Sequence, residues 1–205
     1  MRFLITAGGT REYIDPVRFI TNASSGRMGY ALAQAATRAG HKVTLVTAPV
    51  VQRIPEGAKA VKVISAAEMF EAVRKNFPAC DCLIMAAAVA DYTPAKPSKT
   101  KVKKTGKTLT IKLKPTVDIL KWAGQRKSKI VVGFALEDKD IRANAEKKLK
   151  AKKLDMIIAN SPAAIGADKS SVQLKTACSG WVKFENTSKI KIAEKIIRRI
   201  EKLSL

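Results

Sequence analysis

The chain has 205 residues, 46% of them apolar and 27% charged, with 39 Lys and Arg against 17 Asp and Glu for a formal net charge of +22. That length suits a single domain over residues 1–205 with an ample core. The one histidine, His41, follows Gly40 and is expected to face solvent, which excludes Ser-His-Asp and Cys-His catalysis and a multi-histidine metal centre. No stretch reaches the roughly 18 uncharged apolar residues of a membrane span, and no leader precedes the first apolar run, so the expectation is a cytoplasmic protein without a membrane partner.

In chain order, residues 2–7 are a short apolar run of the kind that forms a buried parallel strand. A long loop over 8–26 follows, then Met28, Leu32, Ala35, Ala36 and Ala39 recur at helical spacing, with Gly40 placed for a left-handed C-cap. Ser24, Ser25 and Gly26 fall at the start of that helix. There a serine acts as an N-cap, or the unpaired N–H groups and the dipole hold a phosphate. The glycines do not form a dinucleotide fingerprint, because a long insertion separates Gly8-Gly9 from Gly26 and Gly29. No acidic residue ends the second strand either, where Thr47 stands, so a dinucleotide-dependent oxidoreductase is disfavoured.

Residues 42–47 and 61–64 read as further strands, and Ser65 to Glu68 has the spacing of a capping box opening a helix that ends before Pro78. Residues 82–86 form a wholly apolar strand. Alternating strands and helices imply right-handed crossovers and a Rossmann-like, doubly wound, mostly parallel sheet with helices on both faces. After the strand come Ala86, Ala87, Ala88, Val89, Ala90, Asp91 and Tyr92, small enough for a ligand to approach the backbone. Asp91 either caps a turn or meets that ligand. A lysine-rich flap over about 93–107 leads into residues 108–113, which alternate as a half-exposed strand does. The flap lysines are a solvated face, or one of them closes over a phosphate.

Thr116 is placed to cap a helix through Asp118, Ile119, Leu120 and Trp122, and residues 130–135 form another strand. Between Asp140 and Lys153 a helix stacks Lys148 and Lys152 one turn apart, where they are either solvated or bridged by an anion. A strand over 154–160, a hairpin with arms at 172–175 and 180–184, and a helix from Ser188 burying Ile192, Ile196 and Ile200 complete the chain. Cys80, Cys82 and Cys178 have no zinc or disulfide spacing and read as reduced and structural.

The positive charge is concentrated in residues 96–153, with 19 basic groups against 5 acidic. It suits polyanionic small molecules with a basic solvated surface, or a nucleic acid. Aromatics make up only 5% of the chain and are not interleaved with the lysines, which disfavours the nucleic-acid reading.

The stretches Ile5–Glu12, Ile14–Arg18 and Thr21–Gly29, with Ala86–Tyr92, Lys101–Lys104, Asp118–Leu120, Val132–Ala135 with Glu137, and Lys148 through Asn160, resemble the phosphopantothenoylcysteine synthetase family in one order along nearly the whole chain. The resemblance implies a ligase of coenzyme A biosynthesis. In it the 4′-phosphopantothenate carboxylate attacks the α-phosphate of CTP, or alternatively ATP, and cysteine captures the acyl-nucleotide. It implies that Asn22 holds that intermediate for the amine and that Lys101 closes on the reacting phosphates. Gly8, Ser24, the amides near Gly26, Lys148 and Lys152 would then bind phosphate and Asp91 the ribose. Phe134 and the backbone near Ala88 and Asp118 would border the nucleotide, and Arg18, Asn22 and Ala88 would meet the acid substrate. Mg²⁺ would ride on the phosphates without protein ligands. Val117 and Ser161 replace a proline and an aspartate common in the family, leaving CTP or ATP open. The resemblance also implies a homodimer touching through 108–113, no flavin, and a separate decarboxylase if the chain is a whole protein.

Overall fold

Strand β1 (Arg2–Ala7) runs through the middle of the molecule, buried at every residue after Arg2. Its polar exception, Thr6, is satisfied inside the core, donating to Met85 Sδ at 3.6 Å and accepting from Ala87 N at 3.1 Å. The computed structural model describes residues 1–126, 128–164 and 166–203, so the last two residues of the expected domain lie outside the description.

Around β1 the strands β4 (Lys42–Thr47), β5 (Ala58–Lys62), β6 (Cys82–Met85), β9 (Ile130–Leu136) and β10 (Met156–Asn160) form a parallel sheet in the order β5, β4, β1, β6, β9, β10. Beyond β10 the antiparallel hairpin β11 (Lys169–Thr176) and β12 (Val182–Ser188) completes eight strands. Alternate residues of the central strands feed two cores, as the period of two demands. Phe3, Ile5, Cys82 and Ile84 pack with α1 (Arg27–Arg38) and α5 (Lys189–Glu201). Leu4, Leu83 and Met85 pack with α2 (Ala66–Asn76), α3 (Ile119–Gly124) and α4 (Ile141–Ala151). The Rossmann-like reading holds, with helices on both faces.

The helix signals in the sequence hold where a side chain completes them. Glu68 N donates to Ser65 Oγ at 3.2 Å, and the Glu68 carboxylate reaches back to Ile64 N at 2.9 Å. His41 N donates to Ala36 O at 3.0 Å around Gly40, the C-cap that the glycine anticipates.

Several local expectations are corrected. The loop over 8–26 holds a small hairpin, β2 (Arg11–Tyr13) and β3 (Phe19–Thr21), turned by Asp15, whose carboxylate accepts from Val17 N and Arg18 N. The third strand spans 58–62 rather than 61–64, because as an edge strand its register is set only by pairing with β4. Residues 108–112 form no strand, since within the chain their apolar positions have no surface to cover. Only β8 (Leu113–Pro115) pairs, antiparallel, with β7 (Tyr92–Pro94). Asp118, not Thr116, caps α3, accepting from Lys121 N at 2.9 Å, while the Thr116 hydroxyl donates to Ala90 O. Ala39 is exposed.

His41 does not face solvent. Its ring packs 5.1 Å from Phe3, Nε2 meets Glu201 Oε1 at 2.7 Å, and Nδ1 lies 3.2 Å from the Met1 amine. Cys80 and Cys82 are buried and Cys178 is exposed, all three free thiols. Burial pushes the Cys80 thiol up to about 11 and Cys82 well above the ordinary value. Brief iodoacetamide treatment near neutral pH is therefore expected to add one adduct, at Cys178. Peptide mapping that found Cys80 or Cys82 labelled would show a core that opens readily.

Candidate functional site

From β1 the chain moves to β4 and β5 on one side, then returns to β6 on the other. A ligand crevice is expected where that order reverses, beyond the carboxyl ends of β1 and β6. There Gly8 and Ala88 are joined by Ala88 N donating to Gly8 O at 2.8 Å, and Gly9 bridges to Ala88. Thr10 Oγ1 accepts from Ala90 N at 2.9 Å, stitching the small-residue segment to the loop after β1.

α1 opens toward this edge. Its N-cap is Gly26, at φ 71°, a left-handed conformation in which a side chain would be strained and would meet Val50 Cγ1 at 2.7 Å. No side chain caps the helix, so the expectation of a serine N-cap is not met; Ser24 Oγ accepts from Gly26 N, at 3.4 Å. The first-turn amides and the positive end of the helix dipole thus face the cleft without a side-chain cap.

That cleft, of about 580 Å³, is lined by Asn22, Ser24, Gly26, Ala88, Asp91, Asp118, Phe134, Lys148 and Lys152. Nine of the residues singled out in the sequence therefore meet in one place. Gly8 lies beneath it, 3.4 Å from where a Gly26 Cβ would stand. No described residue donates to the Asp91 carboxylate, and its turn is held by Asp91 O accepting from Thr116 N, so the side chain is not a turn cap.

The two stacked lysines are half-buried and each has a partner within the chain. Lys148 Nζ donates to Phe134 O at 2.7 Å, and Lys152 Nζ pairs with Asp118 Oδ2 at 2.8 Å. Burial, and then the charge of Lys152, lowers the Lys148 ammonium below an ordinary lysine. Burial works to raise the Asp118 carboxyl, but the hydrogen bonds from Lys152 and Lys121 N outweigh it and hold it below the usual range. Since Asp118 is depressed, its support of the α3 start is present above the unfolded value and lost only as pH falls through the lower folded one. A phosphate arriving here would replace the carbonyl and carboxylate partners of two cations already in place.

Asn22 ends the β2–β3 hairpin at the mouth of the cleft. Its Nδ2 donates to Ala88 O and Val89 O at 3.3 and 3.2 Å, and no described residue donates to its Oδ1. Arg18 and Lys101 do not line the cleft. The Arg18 guanidinium grips Asp15 Oδ2 at 2.5 Å and donates to Val102 O at 2.6 Å, while Val102 N donates to Asp15 Oδ2 at 3.1 Å. Lys101, next to this clamp, is exposed.

Sequence reasoning missed Lys189, which is 9% exposed, lines the cleft and is lowered by burial and then by Arg27. A lysine in the first turn of a helix, against the dipole, was the available signal. It also missed Asp15 as the organiser of the hairpin, because its partners lie as far away as Val102.

A family profile described as the DNA/pantothenate metabolism flavoprotein C-terminal domain matches residues 1–203. Over 207 residues the chain is 46% identical to the coenzyme A biosynthesis bifunctional protein CoaBC of Bacillus subtilis, covering 98% of this chain and 51% of that protein. It is also 46% identical over 206 residues to a protein of an unknown prokaryotic organism named cysteine/cysteine sulfinic acid decarboxylase, covering 97% of this chain and 57% of that one. The chain thus spans about half the length of the curated relatives it matches. Among solved structures, the C-terminal domain of a CoaBC superposes with a TM-score of 0.86 at 39% identity, covering 98% of this chain and 94% of that one. The chain belongs to the family of the DNA/pantothenate metabolism flavoprotein C-terminal domain.

Proposed function

We propose that this chain joins 4′-phosphopantothenate to L-cysteine through an acyl-nucleotide, releasing pyrophosphate, and that CTP is the nucleotide, with ATP the alternative. One observation carries the reading: an uncapped helix start, two lysines and Asn22 converge on a single cleft at the reversal of the strand order. The names of the two relatives differ and each describes a longer protein, so the choice between them rests on this site. A cleft lined by two lysines and an uncapped helix start supports nucleotide activation of a carboxylate.

In the first step a carboxylate oxygen of phosphopantothenate bonds to the α-phosphorus, and the bond to pyrophosphate breaks. Charge grows on the leaving phosphates, where the α1 amides, Lys148 and Lys152 would stabilise it. In the second step the cysteine amine bonds to the acyl carbon and the nucleoside monophosphate leaves. Asn22, tethered by its amide N–H groups, would present Oδ1 to the incoming amine. Asp91 would hold the ribose, and Gly8, Ala88, Asp118 and Phe134 would border the nucleotide. Among the described residues no three acidic, histidine or cysteine side chains group to hold a metal, so Mg²⁺ would arrive on the nucleotide.

Pyrophosphate release that requires phosphopantothenate, with amide product on adding cysteine, is the expected result, and the faster of CTP and ATP identifies the nucleotide. No release with either would overturn the ligase and return attention to nucleic-acid binding, read as a steeply salt-dependent affinity. Lys101→Ala is expected to slow release roughly a hundredfold with folding unchanged. Unaltered rates would remove Lys101 from the machinery.

A homodimer fits the same reading. Tyr13, Val17, Tyr92, Leu113 and Val117 are large, apolar and exposed on and beside the two small sheets, side chains a partner copy could cover. Leu113→Glu is expected to shift the mass measured by light scattering from two chains to one.

A further inference from the structure

Arg11 is held on β2 by its backbone, pairing with Thr21 and donating from N to Ile64 O at 2.8 Å. Its guanidinium carbon lies 4.6 Å above the Phe19 ring, which in turn meets Tyr13 at 5.3 Å between ring centres. An arginine stacked this way loses little freedom when its edge binds a planar anion. Elsewhere in the molecule Arg2, Arg18, Arg27 and Arg74 each grip a carboxylate. Half-buried Arg11 has no such partner: among the described residues no acid pairs with it and no acceptor takes its guanidinium N–H groups.

Arg11 and Phe19 form one wall of a second cleft of about 310 Å³, completed by Thr21, Pro49 and Gly166. Among the described residues no acidic side chain lines it. The loop from Asn22 to Ser25 separates this cleft from the larger one and lines both. A group bound by Arg11 is therefore next to the residue assigned to the amide-forming step.

We propose that Arg11 anchors an anionic group of one substrate, a carboxylate or a phosphate, in this second cleft; the proposal rests on the ligase reading above. Two substrates carry such a group. Cysteine bears a carboxylate on the carbon that carries its attacking nitrogen, so a fork holding it would aim the amine at Asn22. Phosphopantothenate bears a phosphate at the end away from its reacting carboxylate. A charge-assisted bidentate contact of either kind typically changes affinity by roughly ten- to a hundredfold.

The test compares wild type, Arg11→Gln and Arg11→Lys, all as the full chain, with cysteine against cysteamine and with phosphopantothenate against pantothenate. Pyrophosphate release at saturating phosphopantothenate without cysteine checks that each variant is folded and still activates its acid. If the anion is the carboxylate, Arg11→Gln raises KM for cysteine at least tenfold, leaves kcat within about twofold and erases the preference for cysteine over cysteamine, with Arg11→Lys between. If it is the phosphate, the same pattern appears with phosphopantothenate and pantothenate. Unchanged KM for both substrates in an active variant overturns the proposal and leaves Arg11 as cover for Phe19. A wild type that forms no amide with either nucleotide overturns the ligase reading, and the proposal falls with it.

Discussion

Asn22→Ala is expected to separate the two chemical steps, lowering amide formation by two to three powers of ten while phosphopantothenate-dependent pyrophosphate release continues. Losing one preorganised hydrogen-bonding side chain at a reacting centre costs roughly that much in rate. The amide of Asn22 is fixed by two carbonyls of the 86–90 segment, so its Oδ1 needs no reorganisation when the amine arrives. The groups proposed to stabilise phosphate belong to other elements: the α1 amides to the helix start, Lys148 and Lys152 to α4 and its C-cap. A quench that traps acyl-nucleotide in the variant is the expected observation. Equal loss of both steps would mean that Asn22 shapes the whole cleft and has no separate part in the second step.

Gly124→Ala is expected to be the most destabilising single methyl in the protein. A Cβ there would stand 1.9 Å from Lys152 O, against backbone that has no rotamer to yield. Relieving the overlap means driving the end of α3 away from the end of α4. The Asp118 to Lys152 ion pair spans those same two elements. Overpacking of that severity costs about 3 kcal/mol or more, about 6–12 °C of melting temperature for a chain of this size. Calorimetry reads the shift, and a variant melting within about 2 °C of wild type would show that α3 moves at little cost. Any surviving folded fraction should also bind nucleotide less well, since Lys152 lines the cleft.

The sheet and its helices were readable because their signals are local. Apolar runs at 2–7, 82–86 and 130–135, the Ser65 capping box and the C-cap at Gly40 each depend on neighbours within a few residues, and all appear as expected. What escaped depends on distant partners. The hairpin inside 8–26 exists because Asp15 gathers amides from Val17, Arg18 and Val102, the last 87 positions away. His41 looked solvent-facing until Phe3 and Glu201 closed on it from both ends of the chain. Residues 108–112 alternate like a strand, but alternation without a surface to cover leaves them irregular.

The convergence of nine expected residues on one cleft followed from motif resemblance, since spacing alone left Asp91 and the lysine pair ambiguous. No sequence pattern showed that Lys148 would donate to Phe134 O, or that Arg11 would stand over Phe19 without a carboxylate. Those facts depend on how β9 meets α4 and on how a two-stranded hairpin folds back on itself.

The Asp15 carboxylate ties two loops into one exchanging unit. It accepts from Val17 N, Arg18 N and Val102 N, so none of the three amide hydrogens meets solvent unless the shared acceptor lets go. Deuterium uptake at Val17, Arg18 and Val102 should then proceed at a common rate, although the hairpin and the flap are far apart in sequence. A ligand that steadies Lys101 from the flap side should slow uptake at Val17 on the hairpin side by the same factor. The hairpin that ends at Asn22 would feel the flap move through one buried oxygen pair.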